Sequence, residues 1–303
     1  MQHCSTLRVL TAALLLASVA SAQELASSGI SLPTQPALSP LGDRIVFTYQ
    51  GDLWLASTAD GEAMRLTVHD AYDHGALFSP DGETLYFMSN RFGNDDIWAM
   101  SARGGDLRRL TYSTNAELLL GMDPSGSELL FTSTRLVEPR PDRYLWALPL
   151  AGGPPRRLMD VHARDAAVSP DGTRIVYTRS YAGLDRKRYR GSANADLWLW
   201  DGPSGVHTRL TEHSGHDTAP RWDPKGDAVY YVSDIDGTFN LWRLDFSTGE
   251  PCQVTRFEGD GIRNPCIAAS GELLAFERGA ALYVMAPGEE PRLLNLRAPD
   301  DSR

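Results

Sequence analysis

A turn motif, Ser-Pro-Asp-Gly or a degraded form of it, recurs six times along the chain and constrains the fold more than any other feature. The glycines of successive copies are 40, 44, 46, 54 and 45 residues apart. Repeats of about 40 to 50 residues are typical of β-propeller blades. The copies occupy residues 38–42, 78–82, 122–126, 168–172, 222–226 and 267–271. The sequence therefore predicts six copies of one structural unit.

The second repeat illustrates the four short strands expected in each unit. An approach strand at 75–79 leads into Ser79-Pro80-Asp81-Gly82, where serine, proline and glycine occupy the positions that they prefer in a type I turn. Strands at 84–89, 96–101 and 107–111 follow. All six repeats divide in this way, and the third strands carry equivalent aromatic residues: Trp54, Trp98, Trp146, Trp198, Trp242 and Tyr283.

The second strands, such as 45–47, 85–87 and 229–231, are continuously apolar. A sheet with one wet face would alternate, so both faces of each small sheet must be covered. Stacked blades achieve this, with the tryptophans packed between them. The prediction is an all-β fold, a six-bladed β-propeller of four-stranded antiparallel blades. Because the first and last repeats each have four strands, we expect closure by face packing alone, without strand exchange between the termini.

The amino terminus has the pattern of a secretory signal peptide over residues 1–22. Arg8 gives the positive charge, residues 9–19 are apolar, and Ala20-Ser21-Ala22 is a small-residue cleavage pattern. The apolar run is shorter than the roughly 20 residues that span a bilayer, so no membrane span is expected. We expect an exported protein, periplasmic or secreted. Residues 23–34 would be a linker, 35–296 the propeller and 297–303 a tail.

Charge and cysteine content exclude several classes of function. Without Arg8 the chain has 28 basic and 39 acidic residues, a net charge of −11 (28 − 39), which disfavours nucleic acids and anionic membranes as partners. The repeat places Cys252 on the outermost strand of one blade and Cys266 on the innermost strand of the next. Such strands are about 14 Å apart, beyond the roughly 7 Å limit between bridged Cα atoms. No disulfide is therefore expected.

Long loop inserts point to one face of the propeller as the binding face. The third repeat inserts residues 136–143 and the fourth inserts residues 180–195. Within the latter lies a basic cluster: Arg186, Lys187, Arg188, Tyr189 and Arg190. Two interpretations stay open. The arginines capture a carboxylate or an acidic partner through paired hydrogen bonds, or they belong to a solvated loop and pair with neighbouring carboxylates.

Acidic residues occur on the loops between blades, just before the inner strand of the next blade. They are Asp73, Glu117, Asp165, Asp217 and Asp260. The repeat predicts that they encircle the mouth of the central channel. A carboxylate ring is a candidate site for a hard cation or for basic peptides. The alternative is that these residues hydrogen-bond turns and neighbouring backbone.

The sequence contains none of the common motifs for catalysis or cofactor binding. It lacks the Gly-x-Ser-x-Gly, His-Glu-x-x-His, Cys-x-x-Cys, Walker and Gly-x-Gly-x-x-Gly patterns. The histidines on the inter-blade loops match no zinc signature; they are His69, His74, His162, His213 and His216. We expect no catalytic residue, no cofactor and no resident metal. Metal-assisted catalysis at the channel mouth, known in some propellers, stays open as an alternative.

Several segments resemble the propeller repeats of the TolB and tricorn families. The more specific likeness is to the amino-terminal six-bladed propeller of tricorn-type serine peptidases, and it covers residues 35–296. It is carried by Lys187-Arg188-Tyr189-Arg190-Gly191, Asp196-Leu197-Trp198, Ser233-Asp234-Ile235-Asp236-Gly237, Asn240-Leu241-Trp242, Gln253-Val254-Thr255-Arg256-Phe257 and Phe276-Glu277-Arg278-Gly279.

The resemblance implies a role in peptide traffic. In tricorn-type peptidases the propeller precedes a peptide-binding PDZ module and a catalytic domain with a serine nucleophile, and it helps to form a route for peptides. Because this sequence stops at Arg303, we carry over no catalytic residue and expect no enzyme activity of its own. Residues 23–34 are too few for the amino-terminal domain of a TolB protein.

The main hypothesis is an exported, non-catalytic propeller that binds or channels peptides or docks a protein partner, such as a peptidase domain or an oligomeric peptidase assembly. Its expected contact sites are the basic cluster and the channel-mouth carboxylates. The alternative is a TolB-like periplasmic protein-interaction propeller, which would co-purify with an outer-membrane lipoprotein and be indifferent to peptides.

Overall fold

Six four-stranded sheets make up the computed structural model, which describes residues 27–135, 143–179, 189, 191 and 193–299. Every element of regular structure in these residues is a β-strand. Within each sheet the four strands follow one another in sequence and pair with antiparallel neighbours. The predicted all-β, six-bladed propeller of four-stranded antiparallel blades is confirmed.

The strands of each blade run from the innermost to the outermost in chain order. The first three blades are β2–β5 (Thr34–Leu38, Arg44–Tyr49, Asp52–Ser57, Ala63–Arg65), β6–β9 (Asp73–Phe78, Thr84–Ser89, Asp96–Ser101, Arg108–Arg109) and β10–β13 (Glu117–Met122, Glu128–Ser133, Tyr144–Pro149, Arg156–His162). The last three are β14–β17 (Ala166–Val168, Arg174–Arg179, Asp196–Asp201, Val206–Arg209), β18–β21 (Asp217–Trp222, Ala228–Ser233, Asn240–Asp245, Pro251–Gln253) and β22–β25 (Ile262–Ile267, Leu274–Arg278, Ala281–Met285, Arg292–Leu293). Two short strands, β1 (Ser27–Gly29) and β26 (Arg297–Pro299), lie outside the blades.

The second strand of each blade is buried on both faces, as its continuously apolar sequence predicts. All six residues of β19 are buried, and five of six in β7. Neighbouring blades share core clusters: Val46 of the first blade packs with Leu85 and Phe87 of the second. Each such side chain contributes about 1.5–3 kcal/mol when fully buried. The stability of the ring therefore comes from contacts between blades.

The recurrent turn closes each hairpin and joins neighbouring blades. In the second blade the Gly82 N–H donates to the Ser79 carbonyl (2.9 Å), and the Ser79 hydroxyl accepts the Thr84 N–H (2.9 Å). Gly82 has φ of +72°, a left-handed conformation that favours glycine. A Cβ at Gly126, the equivalent glycine of the third blade, would lie 3.0 Å from Cγ of Pro80. Each glycine thus packs against the turn of the preceding blade.

These turns lie on one face of the ring, which we call the turn face. Because successive strands alternate in direction, the loops between blades and the loops that join second and third strands lie on the opposite face, which we call the loop face.

Closure of the ring differs from the prediction in one respect. As expected, no strand of the described residues is exchanged between blades, but closure by face packing alone is wrong. β1 and β26 pair as an antiparallel ribbon. The Arg297 N–H donates to the Gly61 carbonyl of the first blade, and the Ile30 N–H donates to the Leu296 carbonyl (both 3.0 Å). Backbone hydrogen bonds therefore cross the seam between the first and sixth blades, where Ala298 enters the shared core.

Cys252 and Cys266 are free thiols. Cys252 lies on β21, the outer strand of the fifth blade, and Cys266 on β22, the inner strand of the sixth, as the repeat predicts. Within the described ranges, no helix has the length and apolar character needed to cross a membrane.

Candidate functional site

The inner strands surround a central channel, and an irregularity in these strands shapes its wall. In β2, β6, β10, β18 and β22 the pairing with the neighbouring strand shifts by a bulge. The equivalent residue of four inner strands has φ between +46° and +58°: Gln35, Gly75, Ala219 and Asn264. Bulges of this kind bend a strand and re-aim its side chains, and these four residues all line the channel.

The channel contains a cavity of about 330 Å³ whose two sides differ chemically. One side, which we call the apolar wall, comes from the second and third blades: Gly75, Ala76, Leu77, Met88, Leu118, Leu119 and Leu120. Facing residues from the fourth, fifth and sixth blades include a polar group, which we call the polar wall: Arg164, Asp165, Arg221, Arg263 and Asn264. Thr218, Ala219, Val232 and Cys266 line the cavity beside them. The channel therefore offers apolar surface on one side and charge on the other.

Burial sets the electrostatics of the polar wall. It raises the pKa of Asp165, and the charges of Arg221 and Arg164 and the Ala219 N–H only partly offset this effect. Burial also lowers the pKa of the Arg221 guanidinium, which donates to the Pro220 carbonyl (2.7 Å). With three arginines and one carboxylate, the polar wall carries positive charge in an acidic protein. It therefore attracts anionic groups.

Hydrogen bonds fix the part of the channel wall between the sixth and second blades. The Glu277 carboxylate accepts from the Gln35 N–H and from Asn264 Nδ2 (2.7 Å), and Gln35 Oε1 accepts the Gly75 N–H (2.9 Å). Cys266 also lines the channel, where burial raises the pKa of its thiol to about 11. The thiol is therefore protonated at neutral pH and is a poor nucleophile.

Three of the carboxylates expected at the channel mouth are buried in junctions between blades. Asp73, Glu117 and Asp217 begin β6, β10 and β18, and their side chains are 0% exposed. Their partners are Arg91 for Asp73 (2.6 Å), Arg135 for Glu117 and His213 for Asp217 (2.7 Å). A ligand in the channel does not reach such carboxylates. For these three, the alternative interpretation, bonding to neighbouring parts of the chain, describes the structure.

Each of these junctions contains a second carboxylate, at the start of a third strand. Asp52, Asp96 and Asp196 pair with fourth-strand arginines, namely Arg65 (2.5 Å), Arg109 (2.6 Å) and Arg209 (2.9 Å). Burial raises the pKa of all three carboxyls, and these arginines oppose the shift. We call each set of two carboxylates and their cationic partners a junction cluster. Junction clusters join blades 1 and 2, blades 2 and 3, and blades 4 and 5.

The other two predicted carboxylates lie elsewhere. Asp165 is part of the polar wall, whereas Asp260 is exposed beside a surface cavity of about 230 Å³ that Arg263, Glu277 and Arg278 also line. The five carboxylates therefore do not form one ring. Over the described residues, no three or more His, Cys, Asp or Glu side chains are grouped so as to hold a metal ion.

The two inserts lie largely outside the described residues. Residues 136–142 of the third repeat and Arg186, Lys187, Arg188 and Arg190 of the basic cluster are among those not described. Tyr189 is described and half-buried. Its ring stacks on the buried ring of His216 with a centroid distance of 5.7 Å and an interplanar angle of 2°. Tyr189 therefore contacts the loop that leads into Asp217, at the junction of blades 4 and 5.

Sequence reasoning missed Arg164, Arg221, Arg263 and Asn264, although a signal for the channel-lining positions was present. Asp73, Glu117 and Asp217 each precede the proline of the turn in their own blade by seven residues. Asp165 precedes the proline of its turn by only five. In the other five blades, the residue five positions before the proline position of the turn also lines the channel: Gln35, Gly75, Leu119, Ala219 and Asn264. This alignment separates Asp165 from the junction carboxylates and assigns it to the channel.

The fold and the channel define a class: a six-bladed β-propeller with one apolar and one positively charged channel side. Residues 31–291 match the family described as the tricorn protease N-terminal beta propeller domain, so the chain belongs to that family. The resemblance seen in the sequence is thus confirmed. The chain is 27% identical over 278 residues to tricorn protease homolog 1 of Streptomyces coelicolor, an alignment that covers 89% of this chain and 26% of that protein.

Solved structures show the same fold. The crystal structure of the tricorn protease superposes with a TM-score of 0.73 at 21% identity, covering 90% of this chain and 27% of that one. TolB from Acinetobacter baumannii superposes with a TM-score of 0.62 at 18% identity, covering 78% and 57%. The chain spans about a quarter of the length of the tricorn relatives it matches (26% and 25%). The matched part is their amino-terminal propeller and not their catalytic domain.

Proposed function

We propose that this propeller is an exported, non-catalytic module that binds peptides in its central channel. The observation that carries the proposal is the division of the channel between the apolar wall and the polar wall. A short peptide presents apolar side chains and carboxylate groups close together, and these two walls complement them. The similar proteins are named as proteases, which supports a peptide as the ligand. The signal-like residues 1–22 support export.

The arginines of the polar wall are the groups that would orient a peptide. Guanidinium groups bind carboxylates through paired, charge-assisted hydrogen bonds. Low local dielectric strengthens such bonds when the groups are surrounded by protein, as the lowered pKa of Arg221 indicates here. On the opposite side, Leu119 and Leu120 would bury an apolar side chain. This proposal therefore assigns peptide binding to residues inside the channel and not to the buried carboxylates Asp73, Glu117 and Asp217.

Calorimetric titration with short synthetic peptides tests this function. Arg221→Gln and Arg263→Gln each replace a guanidinium by a neutral amide. Each change is expected to weaken binding of a peptide with a free carboxy-terminal carboxylate by about tenfold or more, because hydrogen bonds to charged groups contribute about 1.5–3 kcal/mol. The same peptide with an amidated terminus should bind the unaltered chain more weakly and respond little to either substitution.

Arg103→Gln is the matched control. Arg103 lies on the turn face of the second blade, outside the channel. Its side chain is 79% exposed and makes a surface ion pair with Glu83 (3.4 Å). Its substitution should leave peptide affinity unchanged. Leu119→Asn should weaken peptides with apolar side chains in particular. Equal affinity of the unaltered chain, Arg221→Gln and Arg263→Gln for the carboxylate peptide would reject the channel as the binding site.

Docking of a protein on the loop face is a second candidate function, favoured by an exposed aromatic cluster. Phe92 and Tyr112 are 65% and 73% exposed, and the Arg109 guanidinium lies 4.6 Å from the centroid of each ring. Exposed aromatic and arginine side chains are typical of protein interfaces. If this role holds, Phe92→Ser combined with Tyr112→Ser abolishes co-purification with the partner, and Arg221→Gln does not.

A further inference from the structure

The junction cluster of blades 4 and 5 differs from the other two in its cation. Arg91 and Arg135 each lie two residues after the last residue of a second strand, β7 or β11. The equivalent residue of the fifth blade is Ile235, which has no charge. Instead, His213 Nε2 lies 2.7 Å from Asp217 Oδ1 and 3.0 Å from the Ser233 hydroxyl. A permanent charge is thus replaced by a group that titrates near neutral pH.

Backbone N–H groups determine which nitrogen of two imidazoles carries the proton. The Gly215 N–H donates to His213 Nδ1 (2.7 Å), and the Ala195 N–H donates to His216 Nδ1 (3.2 Å). A ring nitrogen that accepts a hydrogen bond has no proton, so the bond from Gly215 requires a neutral His213 ring with its proton on Nε2. The turn is also tight, because a Cβ at Gly215 would lie 2.1 Å from Asp234 Oδ1 and 2.5 Å from His213 Cε1.

The charges around His213 favour its protonation. Burial lowers the pKa of His213, but the hydrogen bond and charge of Asp217 and the charges of Asp234 and Asp196 outweigh burial, so the pKa lies above its ordinary value. Among the described residues, the Arg209 guanidinium pairs with Asp196 in this junction cluster. A raised pKa means that the stabilisation is complete below the unfolded-state pKa of about 6.5 and is lost as pH rises through the folded-state pKa. Protonation therefore does not unfold the junction.

We propose that His213 is a proton-sensitive switch in the loop face at blades 4 and 5. An imidazolium carries N–H groups at both nitrogens. Protonation therefore keeps the bond from Nε2 to Asp217 but sets the new Nδ1–H against the Gly215 N–H, which expels the backbone donor. The His213–Gly215 turn opens while the Asp217 ion pair holds the blades together.

Opening of this turn reaches Tyr189 through His216. The ring of His216 lies between the rings of Tyr189 (5.7 Å) and Phe239 (6.4 Å). Among the described residues, Asp234 is a charged group that faces His216, and its Oδ1 accepts the His216 N–H (2.7 Å). Because His216 directly follows Gly215, rearrangement of the turn changes the contact with Tyr189. The stacking of Tyr189 on His216 therefore differs between neutral and mildly acidic pH. This inference does not depend on peptide binding.

Solution NMR of the unaltered chain tests the switch between about pH 8 and about pH 5.5, which bracket the ordinary histidine pKa of about 6.5. On acidification the Gly215 amide proton should move upfield with the same midpoint as the His213 ring carbons. Its hydrogen exchange, corrected for the intrinsic effect of pH, should become about tenfold faster, as expected for the loss of one hydrogen bond. The Leu118 amide, at the arginine-containing junction of blades 2 and 3, should not follow that midpoint.

Two histidine substitutions separate this switch from general effects of acid. His213→Gln keeps a donor and an acceptor but removes the titration, so the Gly215 transition should disappear. His207→Gln removes an imidazole that bonds the Tyr177 hydroxyl within the fourth blade (2.9 Å), and the transition should persist. A Gly215 amide that stays constant while the His213 ring titrates would overturn the proposal, as would a transition that survives in His213→Gln. If His213→Gln does not fold, agreement or disagreement of the two midpoints in the unaltered chain decides.

Discussion

The turn face and the loop face of this propeller are built in different ways. On the turn face, the glycines of all six turns have nearly the same backbone, with φ from +72° to +79°. On the loop face, three junctions carry a junction cluster, and the cation paired with the inner carboxylate changes from arginine to histidine among them. A Cβ at each of these glycines would lie within 4 Å of the preceding blade. The loop face is where one blade differs from another.

The junction of blades 5 and 6 has amide side chains where the three junction clusters have an aspartate–arginine ion pair. Asn240 begins β20 as Asp96 begins β8, and Gln253 stands where Arg109 stands in the second blade. The Thr255 hydroxyl donates to Asn240 Oδ1 (2.9 Å), and the Asn240 and Gln253 side-chain amides both donate to the Asp236 carboxylate. Hydrogen bonds therefore maintain the shape of a junction. An aspartate–arginine ion pair is not required at this position, consistent with the weak net contribution of many buried ion pairs.

The largest expected effect on this comparison comes from removing one cation on the loop face. Arg135→Ala leaves the buried Glu117 carboxylate without its cationic partner. The free energy of unfolding should fall by about 3–5 kcal/mol, the usual cost of an unpaired buried charge. Urea unfolding monitored by tryptophan fluorescence measures it.

Arg103→Ala is the control for this loss, because Arg103 makes an exposed pair with Glu83. Its effect should be within about 0.5 kcal/mol. If Arg135→Ala were as mild as Arg103→Ala, the junction cluster of blades 2 and 3 would not contribute to stability, and the two faces would not differ in the way described.

The turn face was predictable from sequence because its constraints are local. Glycine at a left-handed position and serine bonded within the same turn leave a pattern in consecutive residues, and six copies identify it. The β1–β26 ribbon was not predictable, since Ser27–Gly29 and Arg297–Pro299 are short and show no apolar alternation. Their pairing depends on the closed ring, which brings the two ends of the chain together.

On the loop face, the sequence predicted where the carboxylates lie along the chain but not that they are buried. Asp73 and Glu117 begin inner strands as expected, yet their burial depends on Arg91 and Arg135, which lie 18 residues later in sequence. His213 precedes Asp217 by four residues, so no repeat-based alignment assigns it the same role. The polar wall of the channel combines residues from three blades, and only the closed ring places them together.

A smaller effect is expected on the turn face. Gly126→Ala puts a side chain on a left-handed residue (φ +73°) and within 3.0 Å of Pro80 Cγ. The left-handed conformation alone costs a non-glycine residue about 1–2 kcal/mol, so thermal unfolding should begin at a lower temperature. Gly121→Ala is the matched control in the same blade, because a Cβ there meets nothing within 4 Å. Equal effects of the two substitutions would contradict the role assigned to the turn contact.

The smallest expected effect concerns the charge of the turn face. Asp171 accepts hydrogen bonds from the Ser169 hydroxyl (2.5 Å) and from the Thr173 N–H (3.0 Å), which lower its pKa to about 2. Because this pKa is below the unfolded value of about 3.9, the stabilisation is complete above that pH and is lost as pH falls towards 2.

Ser169→Ala tests this effect by removing the main cause of the shift. The pKa of Asp171, measured by carboxyl ¹³C NMR, should rise towards its ordinary value. Stability at neutral pH should fall by about 1 kcal/mol, because Ser169 Oγ also accepts the Arg174 N–H (2.9 Å). Asp171→Asn identifies the resonance by removing the titration. An unchanged Asp171 pKa in Ser169→Ala would mean that the bonds from Thr173 suffice, and that the serine of the motif acts on the backbone alone.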